Sequence, residues 1–361
     1  MRQFQDGGYL DWRSKGNVVF LKFCVTFERT KSCKSELYAF NGLLVHWKST
    51  SGEHARAFMS RFARTITANT SLVMYLVKQS LVSAYVQCPQ FSRDYTDVDH
   101  DCKYVPAIGH AIDTAVQPRV KINLKGIAIG NADMDPHTMM DYADYLYEIG
   151  LVDRNQAAVL RGRTDAVINL IKQGRYLEAN DAVAPIFDGS PSIFNNLTGF
   201  TNYFNYLLTK EPVDQRYYIP FIQTTRVRKA IHVGSLSFYD FNPTVYDNLN
   251  GDKMVSAKPW FTSLLEKYKV LLYSGQLDIV VAYPYTESFL ASVNWTGASA
   301  LAAVSRQIWR TPGGTDIYGS VRQVANFTEV LVRNGGHILP YDQPEAAYDM
   351  ITRFILGKPF V

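Results

Sequence analysis

The sequence lacks an apolar run long enough to cross a membrane, so we expect no membrane-spanning helix. Charged residues are also few, 19% of the chain, and no basic stripe is interleaved with aromatic residues, which argues against a nucleic-acid partner. Only four cysteines occur, and their spacings of 9, 55 and 14 residues fit no zinc-site template. What is present, 47% hydrophobic residues in a chain of 361, favours a well-packed globular protein.

The first 102 residues differ from the rest in charge and in cysteine content. They hold 13 Lys and Arg against 9 Asp and Glu, whereas residues 103–361 hold 24 of each sign. All the cysteines lie in the first segment: Cys24, Cys33, Cys88 and Cys102. Residues 1–10 lack the apolar core of a secretory signal, so we expect no export signal there. The segment predicts only a strand over residues 17–27 and a helix over residues 71–86.

Short apolar runs after residue 102 predict buried strands of the kind found in parallel sheets. These runs span residues 126–130, 269–275 and 329–332. Helical spacing precedes the first run, over residues 103–115, with Pro106 expected in the first turn. Because helices and buried strands alternate, the sequence predicts an α/β sheet.

Residues 136 to about 230 predict an all-helical insertion carried on that sheet. Helical patterns cover residues 142–151, 154–173 and 176–184. The aromatic residues Tyr203, Phe204 and Tyr206 are expected to pack within the insertion, and to line a pocket for an apolar side chain if the insertion covers a site. His232 lies in an apolar run and is expected to be a core histidine.

One stretch near the end of the chain has the pattern of a catalytic turn. After the run at residues 329–332, Gly335 and Gly336 are expected to let the backbone turn sharply and to leave His337 projecting from the strand end. A helix is predicted to follow, from Asp342 as the N-cap to residue 356.

An acid precedes this histidine in the chain. Asp278 follows the run at residues 269–275 as His337 follows the run at residues 329–332, and functional groups of open α/β sheets gather beyond the carboxyl ends of strands. Acid before histidine is the order of the α/β-hydrolase triad, in which the acid orients the imidazole. The alternatives are a loop-capping aspartate and a surface histidine.

Six motifs, in chain order, resemble the serine carboxypeptidase family, and most of all its vitellogenic carboxypeptidase-like branch. They are residues 103–108 (KYVPAI), 126–131 (GIAIGN), 142–151 (YADYLYEIGL), 227–234 (VRKAIHVG), 273–278 (YSGQLD) and the stretch around His337. The resemblance covers about residues 103–361. It implies an α/β-hydrolase fold with a helical cap insertion, no cofactor or metal, and removal of C-terminal residues from peptides by a Ser-Asp-His triad, usually at acidic pH in lysosomes, vacuoles or outside the cell. Asp278 and His337 match the family's acid and base.

The family's serine does not match. Family members carry Gly-Glu-Ser-Tyr-Ala-Gly directly before the first motif, but residues 97–102 here place Asp99 where the serine belongs. No Gly-x-Ser-x-Gly occurs elsewhere, and the Gly-Gly-Pro-Gly loop that supplies an oxyanion-hole amide is also absent.

Three interpretations of this window compete. Asp99 would be the nucleophile itself, but Asp97 and Asp101 stand where the tight elbow needs small residues. A calcium loop fails because Cys102 and Ile108 replace its glycine and glutamate. We favour the third: residues 1–102 are a diverged, rearranged or wrongly assembled segment, which leaves the N-terminal part of the sheet incomplete or irregular.

The sequence therefore supports two hypotheses. The first is a serine-type carboxypeptidase that would hydrolyse peptides if a serine were present; the second is a catalytically inactive binding or interaction protein on the same scaffold. We expect a peptide substrate or ligand, leave a homodimer open, and expect a secreted or lysosomal location from the resemblance. Four glycosylation sequons agree weakly with that location: Asn69, Asn196, Asn294 and Asn326.

Overall fold

The computed structural model describes residues 38–40, 43–47, 82–83, 98–116, 123–230, 233–238 and 243–361; side chains are described from Lys103 onward, except for residues 243–247. The predictions for residues 17–27, for Asn69 and for His232 lie outside these residues.

The described strands and helices have the following order along the chain. Up to the end of the insertion they are β1 (Tyr38–Phe40), β2 (Leu43–Trp47), β3 (Val82–Ser83), α1 (Val98–Thr114), β4 (Gly126–Gly130), α2 (Tyr142–Glu148), α3 (Arg154–Lys172), α4 (Tyr176–Val183), α5 (Ile193–Thr198), α6 (Tyr218–Ile222) and α7 (Thr225–Ala230), with 3-10 turns at Ala184–Ile186 and Val213–Arg216. After it follow α8 (Pro243–Lys253), α9 (Lys258–Leu265), β5 (Lys269–Gly275), α10 (Tyr283–Ser292), α11 (Ala298–Ala303), β6 (Gln307–Arg310), β7 (Ile317–Val324), β8 (Phe327–Val332), α12 (Leu339–Asp342) and α13 (Pro344–Leu356).

Five of the described strands form an open mixed sheet in the order β4-β5-β8-β7-β6. β4, β5 and β8 are parallel, whereas β7 and β6 are added antiparallel. The predicted α/β class is confirmed, and β4 and β5 have the predicted bounds. β6 and β7 were not predicted. A separate three-stranded antiparallel sheet has the order β1-β2-β3.

The parallel strands are the buried centre of the protein. Every residue of β4 is buried, and so is all of β5 after Lys269. Helix α1 packs against β4 and α9, and α9 and α10 pack against β5. The rings of Phe261, Phe289 and Phe327 meet in this core, with centroid distances of 5.2 Å and 6.4 Å from Phe261. Such a core fixes the strand ends where Asp278 and His337 follow.

Helix α1 is held at its start by a buried cation. Lys103 is 3% exposed, and its Nζ donates to the carbonyl oxygens of Asp252, Lys253 and Val255. The Lys253 bond is 2.6 Å long. These carbonyls lie at the C-terminal end of α8 and just beyond it, where the helix dipole is negative and favours a cation.

The insertion is helical, as predicted, and α2, α3 and α4 fall within the predicted ranges. Its inner side is an aromatic cluster in which Phe187 contacts Tyr203 at 5.2 Å between ring centroids, and Tyr203 contacts Phe204 at 4.2 Å. Tyr203 and Phe204 are buried. Their predicted packing role is confirmed, whereas Tyr206 is only partly buried.

Two local predictions are wrong. Helix α1 begins at Val98, so Pro106 lies inside it rather than in its first turn, where it removes one intrahelical hydrogen bond. Val82–Ser83 forms strand β3, which pairs with β2, so the helix expected over residues 71–86 is wrong at these two residues. Pairing between strands overrides the apolar spacing there.

Candidate active site

The structure brings Asp278 and His337 into direct contact. Asp278 follows β5 and His337 follows β8, and these neighbouring parallel strands end at the same edge of the sheet. His337 Nδ1 lies 2.8 Å from Asp278 Oδ2, and both side chains are fully buried. The second carboxylate oxygen of Asp278 accepts the backbone N–H of Val281 at 3.1 Å. The acid is therefore fixed from both sides.

The other ring nitrogen of His337 is unused. Because a carboxylate accepts hydrogen bonds, Nδ1 is the atom that donates to Asp278, and in the neutral form of the ring this leaves a lone pair on Nε2. Nε2 is buried and has no hydrogen-bond partner within the described part of the chain. Buried polar atoms are nearly always paired, so an unpaired ring nitrogen on a histidine that contacts an aspartate requires an explanation.

The turn before His337 is built differently from the prediction. The residue with a left-handed backbone is Asn334, at φ 58°, and neither Gly335 nor Gly336 has a positive φ. Glycine is needed at position 336 for space, because a Cβ there would lie 2.2 Å from the carbonyl oxygen of Phe204. A Cβ on Gly275 would likewise lie 2.1 Å from the carbonyl oxygen of Gly336. The turns that carry the acid and the base therefore touch backbone to backbone.

A buried asparagine that the sequence reasoning did not assign joins the ends of three strands. Asn131, directly after β4, donates from Nδ2 to the carbonyl oxygens of Gly336 at 2.9 Å and His337 at 2.6 Å. Its Oδ1 accepts the N–H of Gly275 at 3.0 Å. Asn131 adopts φ 46°, a conformation that asparagine tolerates better than most residues. The sequence signal that could have identified Asn131 is its position directly after a buried strand that ends in glycine.

The insertion contributes a strip of backbone that joins the acid turn to the base turn. We call residues 202–206 the bridging segment. Phe204 accepts the N–H of His337 at 2.6 Å, and Tyr206 donates to the carbonyl oxygen of Leu277 at 3.0 Å. The Phe204 ring also lies against the imidazole, with centroids 5.7 Å apart and planes inclined by 34°.

Asp342 does not cap a helix, so that prediction is wrong. It ends α12, and α13 begins after Gln343, which makes no side-chain cap. Asp342 Oδ2 instead accepts the N–H of Gly336 at 2.7 Å and Nδ2 of Asn205 at 3.0 Å. Burial raises the pKa of Asp342 to about 6, and the nearby charge of Asp278 acts in the same direction.

Tyr145 and Tyr206 lie close to the acid–histidine pair. Burial raises the pKa of the Tyr145 phenol, and the charge of Asp278 and then the Tyr206 phenol raise it further. Both side chains are partly exposed.

The remaining predicted positions have different outcomes. Asp99 lies in the first turn of α1, and its side chain lies outside the described residues. Asn196, Asn294 and Asn326 are exposed. In the described part of the chain, no three His, Cys, Asp or Glu side chains converge on a metal-sized site, and no helix is long and apolar enough to cross a membrane.

Comparisons with known proteins identify serine carboxypeptidases as similar to this chain. A family model described as serine carboxypeptidase matches residues 102–357. The venom serine carboxypeptidase of Apis mellifera is 45% identical over 264 residues, which cover 72% of this chain and 56% of that protein. The probable serine carboxypeptidase CPVL of Homo sapiens is 41% identical over 296 residues, 78% of this chain and 62% of that protein. This chain thus spans less than two thirds of the length of these relatives.

A solved structure agrees in fold. The prohormone-processing carboxypeptidase Kex1(delta)p of Saccharomyces cerevisiae superimposes with a TM-score of 0.56, covering 71% of this chain and 60% of that one. At 20% identity, the match establishes a shared fold.

Proposed function

We propose that this chain, which belongs to the serine carboxypeptidase family, carries in Asp278 and His337 the acid and the base of a peptidase triad. The observation that supports the proposal most strongly is the buried, unpaired Nε2 of His337, since a proton acceptor is what a hydroxyl nucleophile requires there. The reaction suited to this geometry is removal of C-terminal residues from peptides.

The role of each group follows from its position. His337 Nε2 would take the proton of a nucleophilic hydroxyl as its oxygen attacks the peptide carbonyl, and would then pass that proton to the leaving amine. Asp278, bonded to Nδ1 at 2.8 Å, would stabilise the imidazolium formed in between. Water would then hydrolyse the acyl intermediate by the same steps.

In the chain as written, Asp99 stands where the family has its serine. A carboxylate has no proton to give His337, so we propose that this chain does not hydrolyse peptides by the family mechanism. The alternative function, peptide binding without cleavage, is favoured by this substitution. Tyr145, whose phenol is close enough to feel the charge of Asp278, and Tyr206 are both partly exposed, and they would receive an apolar side chain of the peptide in either case.

We further propose that the chain divides into residues 1–102, outside the family segment, and an α/β-hydrolase unit over residues 103–361 with its insertion at about 136–230. The start of the family match at residue 102 supports the first boundary, and the helices α2 to α7 support the insertion. Sequencing the transcript upstream of Lys103 tests the division. A transcript that encodes Gly-Glu-Ser-Tyr-Ala-Gly directly before Lys103, in place of residues 97–102, would support the hypothesis of an active peptidase.

A fluorophosphonate probe distinguishes the two functions. We expect the chain as written to remain unlabelled. A restored chain, in which the N-terminal segment of a family relative supplies both Gly-Glu-Ser-Tyr-Ala-Gly directly before Lys103 and the Gly-Gly-Pro-Gly loop, should be labelled and should release C-terminal residues from peptides detected by mass spectrometry. A His337→Ala change in the restored chain should abolish labelling. Labelling of the original chain that depends on His337 would refute the inactive reading. A folded restored chain that stays unlabelled would refute the triad.

The names of the relatives, one of them a venom protein, support a secreted or lysosomal location, and Asn196, Asn294 and Asn326 are exposed. We therefore propose that these sequons are glycosylated. Endoglycosidase treatment of protein from a eukaryotic secretory host should lower its mass, and an unchanged mass would refute the modification. A homodimer remains a prediction.

A further inference from the structure

The carboxylate of Asp342 holds the backbone directly before His337. It accepts the N–H of Gly336 at 2.7 Å and the side-chain amide of Asn205 at 3.0 Å. Asn205 is buried and belongs to the bridging segment, whose Phe204 accepts the next amide, that of His337. Because Asn205 and Asp342 are distant in sequence, their meeting is a property of the tertiary fold.

These contacts fix three successive peptide groups: the one that precedes Gly336, held by Asp342, and the two that flank His337. The N–H groups of Gly336 and His337 point to Asp342 and Phe204, and the two carbonyl oxygens accept from Asn131 at 2.9 Å and 2.6 Å. With both peptide planes held, the Cα–Cβ bond of His337 has one direction, and this direction sets where the ring can reach. In this set of contacts, Asp342 supplies the charged acceptor, and charge-assisted hydrogen bonds are about twice as strong as neutral ones.

We propose that Asp342 is a positioning residue for His337: its carboxylate fixes the Gly336 amide and so keeps the imidazole aligned with Asp278. The inference rests on the proposed role of His337 as the proton carrier. The geometry that it concerns exists without substrate, so it can be measured without activity.

The strength of the hydrogen bond from the Gly336 amide to Asp342 depends on the charge of that carboxylate. The titratable groups that face this carboxylate are Asp278 and His337 from the two turns and Tyr341 from α12, whose hydroxyl donates to Asp214 at 2.6 Å. Since burial raises the pKa of Asp342 to about 6, the carboxylate is ionised above that pH and loses its charge as the pH falls below it. A neutral acceptor binds the Gly336 amide more weakly.

The chain offers a matched control for a test. Asp214 and Asn205 both lie in the insertion and both bond to α12, but only the Asn205–Asp342 contact includes the Gly336 amide. Asp342→Ala and the isosteric Asp342→Asn can therefore be compared with Asp214→Asn. Two readouts apply to the full chain without substrate: the low-field NMR signal of the His337 Nδ1 proton, assigned by loss in His337→Ala, and hydrogen exchange of the Gly336 amide.

In Asp342→Ala we expect the Gly336 amide to exchange about tenfold faster or more, because a hydrogen bond to a charged acceptor is lost. The Nδ1 proton signal should move upfield or broaden. Asp342→Asn should show smaller changes in the same direction, and Asp214→Asn should retain both wild-type values. If Asp342→Ala does not fold, Asp342→Asn decides.

Two results would overturn the proposal: folded Asp342 variants with the wild-type signal and exchange rate, or equal changes in Asp214→Asn. The fluorophosphonate experiment fails independently. An unlabelled restored chain with the expected NMR changes would remove the peptidase role and leave the positioning role of Asp342. A restored chain that is labelled but shows no NMR changes in its Asp342 variants would support the peptidase role and remove the positioning role of Asp342.

Discussion

Two buried carboxylates on neighbouring segments of the same sheet have different surroundings. Glu329, in β8, is 3% exposed, and both of its oxygens accept from Arg322 in β7; the Tyr283 hydroxyl adds a third bond at 3.0 Å. Asp278 is equally buried, but its partner His337 keeps one nitrogen without a hydrogen bond among the described residues. A buried ionic group that is fully paired belongs to the scaffold, whereas one that leaves a basic atom unpaired is suited to chemistry.

The surroundings of the Glu329 network support this distinction. The pKa of Arg322 is raised, first by its hydrogen bond to Glu329, which keeps the guanidinium charged. The guanidinium of Arg306 lies 4.4 Å from the centre of the Tyr283 ring and bonds to Glu287 at the surface. Substitutions in this network should therefore lower the free energy of unfolding, whereas substitutions in the acid–histidine pair should lower the rate of peptide hydrolysis.

The largest effect is expected at the pair. In the restored chain, Asp278→Asn should lower the rate of peptide hydrolysis about 10⁴-fold, because an amide no longer holds the imidazole in the required tautomer. Initial rates measure this. Glu287→Gln, at the edge of the Glu329 network, is the control and should retain the rate. A loss below about tenfold for Asp278→Asn would remove the distinction between the two regions.

Breaking the network should cost stability. Arg322→Met leaves Glu329 buried without its cation, and we expect the free energy of unfolding to fall by about 3–5 kcal/mol. Arg306→Met removes the more exposed partner of Glu287 and should lower the free energy of unfolding by about 1 kcal/mol or less. Denaturant melts of both variants provide the comparison. Equal losses would show that burial of Glu329 does not govern the energetics.

Lys103 extends the comparison to a second paired cation. Its ammonium donates to three carbonyl oxygens, so Lys103→Met should lower the free energy of unfolding by about 2 kcal/mol, since three charge-assisted hydrogen bonds are lost. Lys267→Met, which removes an exposed ion pair with Asp113, should change it by less than about 1 kcal/mol. Thermal melts at matched pH measure both, and similar shifts would contradict the expected role of the carbonyl contacts.

A further effect is a pH dependence at Asp342. Its pKa is raised from 3.8 to about 6 in the folded protein, so its contribution to stability is full below pH 3.8 and is lost as the pH rises through 6. Asp342→Asn does not titrate. We therefore expect the stability of this variant relative to wild type to rise by about 2–3 kcal/mol between pH 4 and pH 7. A difference that stays constant across this range would contradict the raised pKa.

The sequence predicts the acid–histidine pair because both residues follow apolar runs that end at one edge of a parallel sheet. It does not predict Asn131, Asn205 or Asp342 as partners, because each bonds to backbone or side chains far away in the chain. Asp342 shows the competition directly: local rules make it an N-cap, but the Gly336 amide and Asn205 outcompete the helix for its oxygen.

The two missed strands have another cause. β6 and β7 are antiparallel and partly exposed, with burial that alternates along β7. Searching for continuous apolar runs finds strands buried on both faces, such as β4, and passes over strands with one face towards solvent. Strands of this kind are indicated instead by alternation of apolar and polar residues, which is the pattern to seek over residues 307–324.

The contact between Gly275 and Gly336 has a consequence for how this protein can vary. The two backbone segments approach so closely that a Cβ on Gly275 would lie 2.1 Å from the Gly336 carbonyl oxygen, and this backbone contact helps to set the spacing between carboxylate and imidazole. Even a single added methyl would push them apart, so intermediate spacings are not available through substitution at these positions. Divergence must therefore either leave this gap intact or abandon it, while the insertion outside the bridging segment remains free to reshape what enters.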